Sequence, residues 1–193
     1  MDRTETREIQ AFVRRIVRLA PRVTQRRFLD QGPQGFLDLQ SEIATLQRDI
    51  QKAINAAKRD VRADKSRLRE LHDLRSARWY SKRLGDALPW MVYFFDRKAI
   101  FALASNSRTP SSATGDDDDS RGVLLTAQNL LDRKWGLPIM HDITDCLRIG
   151  DISLLSVGKT VEDRHIRTIE VKTSRTALEP QSDGSDMISL RSR

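Results

Sequence analysis

Residues 150–174 read GDISLLSVGKTVEDRHIRTIEVKTS, and their pattern decides the fold of the C-terminal part of the chain. DISLLSV (151–157) and HIRTIEVKT (165–173) are short runs rich in apolar and β-branched residues, separated by the glycine and polar residues of 158–163. That composition predicts two antiparallel strands joined by a hairpin. Side chains alternate across a strand, so Glu170 and Lys172 share one face. Asp151 opens the neighbouring strand, and a turn near Gly158 brings it to the far end of the later strand, near Glu170. Two carboxylates and an ammonium are therefore expected to meet on strands apolar enough to be buried. Isolated charges are costly in such a place unless paired or bound to metal. Two hard oxygen ligands suit Mg²⁺ (or Mn²⁺), an ion that retains waters and meets phosphates directly. Gly158-Lys159-Thr160 looks like the end of a phosphate-binding loop, but the glycine required five positions earlier is Ser153, and no helix follows.

Upstream, residues 123–135 read as a helix with Leu124, Leu125, Leu130 and Leu131 as its apolar contributors, and residues 137–142 as a first strand beginning LPIM. His141, Asp142 and Asp145 are expected to cap and solvate the connection to Gly150, with either aspartate a spare ligand.

A helix, an aspartate at the mouth of a strand, and a following Glu170-Val171-Lys172 strand together resemble the PD-(D/E)XK nuclease superfamily, the restriction-endonuclease-like fold, over about residues 122–175. The resemblance implies an α/β core with a three-strand antiparallel meander. It makes Asp151 and Glu170 metal ligands, the carbonyl of Val171 a further ligand, and Lys172 the catalytic lysine. Two departures stand out. The entry helix carries no glutamate, offering only Gln128, and the 21 residues after Lys172 read as a tail rather than as the family's second helix and fourth strand. The core is thus expected to be incomplete: a truncated product, a sheet completed by a partner, or a degenerate relative.

The first half differs in character. Residues 4–29 form a basic amphipathic pattern, with Pro21 expected to bend or interrupt the helix and Gln31–Gly35 to break it. From Phe36, apolar or small residues recur at Leu39, Ile43, Leu46, Ile50, Ala53 and Ala57, which is heptad seam spacing. Val61, Leu68 and Leu71 continue it after a stutter, with Asp64 in a seam position. This predicts one helix to about Leu84, roughly 70 Å long. Its seam requires a partner, either the first helix in a hairpin or a second chain in a homodimer through residues 36–71. Lys58, Arg62, Lys65, Arg69 and His72 form a basic stripe beside that seam. It reads equally as a set of phosphate contacts or as a solvated face. In residues 85–104, Pro89 suits the first turn of a helix, Asp96 a cap, and Trp90, Tyr93, Phe94 and Phe101 the core. Base stacking would instead need those rings exposed and interleaved with cations. Residues 105–122, with the acidic quartet 116–119, read as a flexible linker, and 176–193 as a disordered tail.

The fold class expected is α+β: a helical region over 1–104, the linker over 105–122, a nuclease-like αβββ core over 123–175, and the tail. Net charge is +7, and residues 1–84 carry 20 Lys+Arg against 11 Asp+Glu, so a polyanionic partner, most simply nucleic acid, is expected on that half, with solubility alone as the alternative. Cys146 is the only cysteine, which excludes an internal disulfide or a Cys-based zinc site. No run approaches a membrane span, and Asp2, Glu5 and Glu8 argue against a transit peptide, so a cytoplasmic protein is expected. The leading reading is a metal-dependent nuclease acting on DNA. The alternative is a non-catalytic helical nucleic-acid-binding or oligomerisation protein carrying a degenerate nuclease-like core.

Overall fold

The computed structural model describes residues 3–24, 31–104, 117–157 and 164–171. Among them it is α+β and mostly helical, with α1 (Arg3–Thr24), α2 (Gly32–Ala63), α3 (Leu68–Val92), α4 (Arg97–Ala104) and α5 (Asp117–Asp132), followed by β1 (Leu137–Met140), β2 (Ile152–Val157) and β3 (Arg164–Ile169). The strands form one antiparallel meander in the order β1-β2-β3. Leu137 pairs with Leu155 in the first ladder, and Ile152 with Ile169 in the second.

The seam of α2 faces inward. Phe36, Leu39, Ile43, Leu46 and Ile50 are at most 1% exposed, packed mainly against α3. Burying each such side chain contributes about 1.5–3 kcal/mol, which outweighs the modest helix propensity of the isoleucines. The chain therefore packs most of this seam against its own helices, while Leu68, also in the expected 36–71 seam, is 54% exposed. The expected single helix to Leu84 is also corrected. Asp64 adopts extended geometry, its carboxylate accepts from the Ser66 N–H at 2.8 Å, and a 3₁₀ turn over Lys65–Arg67 reverses the chain. Asp64 is thus a cap where the heptad reading made it a poor seam residue. Arg67 secures the reversal by pairing with Asp60 at 2.7 Å and Glu70 at 2.9 Å.

Helix α1 lies antiparallel to α2 and beside α3, with Arg15 on Asp49 at 2.6 Å and Arg22 on Glu42 at 2.5 Å. It continues through Pro21 to Thr24, so the expected interruption does not occur. Pro89 likewise lies inside α3, near its end, and does not begin a helix. Helix α5 starts at Asp117, six residues before the expected Val123, and takes in most of the acidic quartet.

Two glutamines one heptad apart on α2 tie that helix to β1, to α3 and to the loop after β1. Gln40 donates to the Pro138 carbonyl at 2.9 Å and accepts from the Met140 N–H at 2.8 Å, covering the outer edge of β1. Gln47 donates to the carbonyls of Ser81 at 3.1 Å and Ile143 at 2.9 Å. The apolar interior is correspondingly continuous, from Phe12 in α1 through α2 and α3 to Ile152 in β2.

The end of α3 sets the next turn. The Phe95 N–H bonds the Trp90 carbonyl at 2.8 Å and the Phe94 N–H that of Met91 at 3.3 Å, a Schellman closure with Phe94 at the left-handed position (φ 54°). Phe95 follows, also at positive φ (59°). Asp96 then caps α4 as expected, its carboxylate accepting from the N–H groups of Lys98 and Ala99. Of the aromatics expected in the core, Tyr93 is buried and Trp90 half-buried, whereas Phe94 and Phe101 are 55% and 62% exposed.

Candidate functional site

Asp151 sits where β2 begins, immediately after Gly150 (φ 72°). A Cβ at Gly150 would approach the Ile169 carbonyl oxygen to 3.0 Å, so glycine suits both the conformation and the space. The Asp151 N–H donates to the Ile169 carbonyl at 2.9 Å, while its own carbonyl accepts from the His141 N–H at 2.9 Å. In a regular antiparallel strand a residue's N–H and C=O face the same neighbour. At Asp151 they face opposite neighbours, so the strand mouth is distorted and the side chain re-aimed. Its Oδ2 accepts from the Val171 N–H at 2.7 Å. The aspartate is thereby fastened to the Glu170–Val171 segment.

Strand β3 ends at Ile169, so Glu170 and Val171 lie just beyond the ladder; Glu170 is exposed and Asp151 half-buried. Lys172 and the expected hairpin residues 158–163 lie outside the described residues. Among the described residues no group of three His, Cys, Asp or Glu forms a ready metal cluster. The candidate donors are Asp151, Asp142, whose carboxyl feels the Asp151 charge, and Glu170, whose backbone adjoins the Asp151 carboxylate through Val171.

His141 and Asp142 do more than cap and solvate their connection. His141 is 4% exposed, and its Nε2 bonds the Ser153 hydroxyl. Burial pushes its pKa down to about 4, so the ring is neutral. Asp142 is half-buried, with Oδ1 shielded from solvent and lacking a hydrogen-bond partner. Burial raises its pKa, opposed by the charge of Lys82 and reinforced by that of Asp151. A buried acceptor without a donor carries a desolvation cost that a cation would remove, so Asp142 beside Asp151 is the pair whose chemistry suits one. Asp145 is engaged elsewhere, on Arg83 at 2.7 Å.

Lys82 was not legible as a site residue. It is 8% exposed and donates from Nζ to the Asp142 carbonyl at 2.5 Å. Burial lowers its pKa, against the opposing charges of Asp145 and Asp142. Gly85 and Asp86 dock the same loop onto α3. The Gly85 Cα passes so close to Ile143 that a Cβ would meet its carbonyl oxygen at 1.8 Å, and Asp86 accepts from the N–H groups of Asp145 at 2.6 Å and Cys146 at 2.9 Å. Tyr93, its pKa raised to about 12 by burial, places its hydroxyl beside Ser153 without completing a hydrogen bond.

The basic residues Lys58, Arg62, Lys65, Arg69 and His72 are all exposed. They surround the α2–α3 reversal instead of lining one continuous helix, because the chain turns between Arg62 and Arg69. Gln47 marks the level of the loop on α2, and Arg62 lies fifteen residues further along the same helix, roughly 20 Å away at 1.5 Å per residue. The entry-helix residue Gln128 contacts Gln34 and Asp132.

Comparison of the chain with protein-family models, with curated proteins and with solved structures returns no match. No helix among the described residues is long and apolar enough to cross a membrane.

Proposed function

We propose that this chain is a cytoplasmic, metal-dependent nuclease that hydrolyses phosphodiester bonds of DNA on a restriction-endonuclease-like core of the PD-(D/E)XK type. The observation that carries the reading is the bond from the Val171 N–H to Asp151 Oδ2, which holds the strand-mouth aspartate against the Glu170–Val171 segment. Helix α5 leading into the β1-β2-β3 meander supports the same core. Asp151, Glu170 and the Val171 carbonyl would hold Mg²⁺ or Mn²⁺. When bound, the ion supplies Lewis-acid polarisation of the phosphate and a water of lowered pKa. Lys172 orients the attacking water or offsets the charge that develops on the phosphate oxygens. Lys58, Arg62, Lys65 and Arg69 contact backbone phosphates at the bundle tip, which positions DNA without reading its sequence.

Glu170 is exposed and beyond the last ladder bond, so Glu170→Ala is expected to leave stability within about 0.5 kcal/mol. Cleavage of plasmid and oligonucleotide DNA with Mg²⁺ or Mn²⁺ should be abolished in that variant, with circular dichroism and melting unchanged. Unaltered cleavage rejects the assignment. The exposed basic tip also favours a second reading, a non-catalytic DNA-binding protein. Calorimetric titration of Mg²⁺ separates the two: heat lost in Asp151→Ala supports the nuclease, whereas DNA binding with no site-dependent heat supports the binder.

A further inference from the structure

Phe94 and Phe95 occupy consecutive left-handed positions after α3, and Phe101 follows on α4. Left-handed geometry costs an L-residue roughly 1–2 kcal/mol, which is why glycine usually fills the position after a helix. Burial does not offset that cost here, since Phe94, Phe95 and Phe101 are 55%, 56% and 62% exposed. Exposed cations adjoin them along the chain, Arg97 and Lys98 in the first turn of α4, and Arg148 reaches the same helix through its backbone N–H, which bonds the Leu103 carbonyl at 2.9 Å. The same carbonyl accepts from Ile149, two residues before Asp151, and the preceding Tyr93 lies beside Ser153 on β2. The backbone that carries the rings therefore adjoins the segment leading into Asp151.

We propose that Phe94, Phe95 and Phe101 form a stacking platform for the unpaired bases of single-stranded DNA, with Arg97, Lys98 and Arg148 taking its phosphates. Exposed rings interleaved with cations are the arrangement that single-strand binding uses, because every base presents a π-face whatever its identity. Charge complementarity selects this occupant over an apolar one: a second copy of the chain would bring the same cations against themselves. The inference names the form of DNA for the nuclease reading and rests on it only for what happens to the strand after binding.

The test measures binding in EDTA, by fluorescence anisotropy, to a single-stranded oligonucleotide, an abasic strand of equal length and a blunt duplex. Phe95→Ala and Phe101→Ala should each weaken base-bearing single strands by roughly tenfold and leave abasic affinity unchanged. Phe94→Gly, which relieves the backbone, should raise the melting temperature while weakening the same complex, an outcome that misfolding cannot produce. Equal losses on abasic and base-bearing strands, no loss at all, or a dimer that Phe101→Ala dissolves would each overturn the platform. Base-dependent binding without metal-dependent cleavage leaves the platform standing and defeats the nuclease reading. Metal-dependent cleavage with ring-insensitive binding does the reverse.

Discussion

His141 provides a pH dependence whose size follows from its burial. The imidazole is 4% exposed and bonded to Ser153, and its pKa is pushed down to about 4, chiefly by desolvation. The unfolded chain titrates near the ordinary 6.5, so between pH 6.5 and about 4 the unfolded state binds the proton and the folded state does not. Stability is therefore whole above pH 6.5, falls as the solution is acidified, and levels off below about pH 4. The gap corresponds to about 3 kcal/mol, an upper figure because burial relaxes as the ring charges. Asp142 works in the opposite sense: its raised carboxyl pKa makes the folded state gain protons first on acidification. Comparing wild type with His141→Gln isolates the histidine, since Asp142, His72 and His165 are common to both proteins and cancel. Urea unfolding followed at steps from about pH 7.5 to pH 4 should show the wild-type midpoint falling more steeply than that of the variant, the two curves diverging by up to about 3 kcal/mol. Parallel curves would refute a neutral, desolvated His141.

Two further perturbations address the framework and the basic tip. Gly85→Ala places a Cβ 1.8 Å from the Ile143 carbonyl oxygen, a backbone atom that cannot move cheaply, so the roughly 1 kcal/mol of helix propensity gained should be exceeded by steric cost, for a net loss of about 2 kcal/mol seen as a lower melting temperature. Stability unchanged or raised would mean that α3 and the 141–150 loop separate freely. Substituting glutamine singly for Lys58, Arg62, Lys65 or Arg69 should weaken DNA binding at every sequence alike, and each lost phosphate contact should reduce the slope of log affinity against log salt by about one. An unaltered slope in all four would make the tip a solvated face.

Patterning carried the reader far in the sheet and less far in the helices. Apolar and β-branched runs placed β2 and β3 to within a few residues: β2 is buried on both faces from Ile152 to Leu155, while β3 alternates exposed and half-buried residues from His165 to Thr168. The α2 seam was equally plain, but its partner was not. The reversal at Asp64 depends on a short-range bond to Ser66 that a heptad count does not register. Phe94 misled for a related reason: apolarity argues for burial, but the residue closes the Schellman turn after α3 and is 55% exposed. At the candidate site, Asp151 and Glu170 were visible because they are charged residues flanking apolar strands, Asp151 just before β2 and Glu170 just after β3. Lys82, sixty residues from the loop that it holds, had no local signal, and only tertiary packing brings its ammonium to Asp142.

The side-chain amide of Gln40 acts as a stopper on one border of the sheet, occupying the donor and acceptor that a fourth strand would need beside β1. Growth of the sheet is consequently one-sided. Any added strand, from elsewhere in the chain or from another molecule, must dock along β3, where Glu170 and Val171 emerge. Augmentation of the sheet and admission of a ligand to the carboxylates thus contend for the same margin, and whatever joins there acts as a gatekeeper to the site.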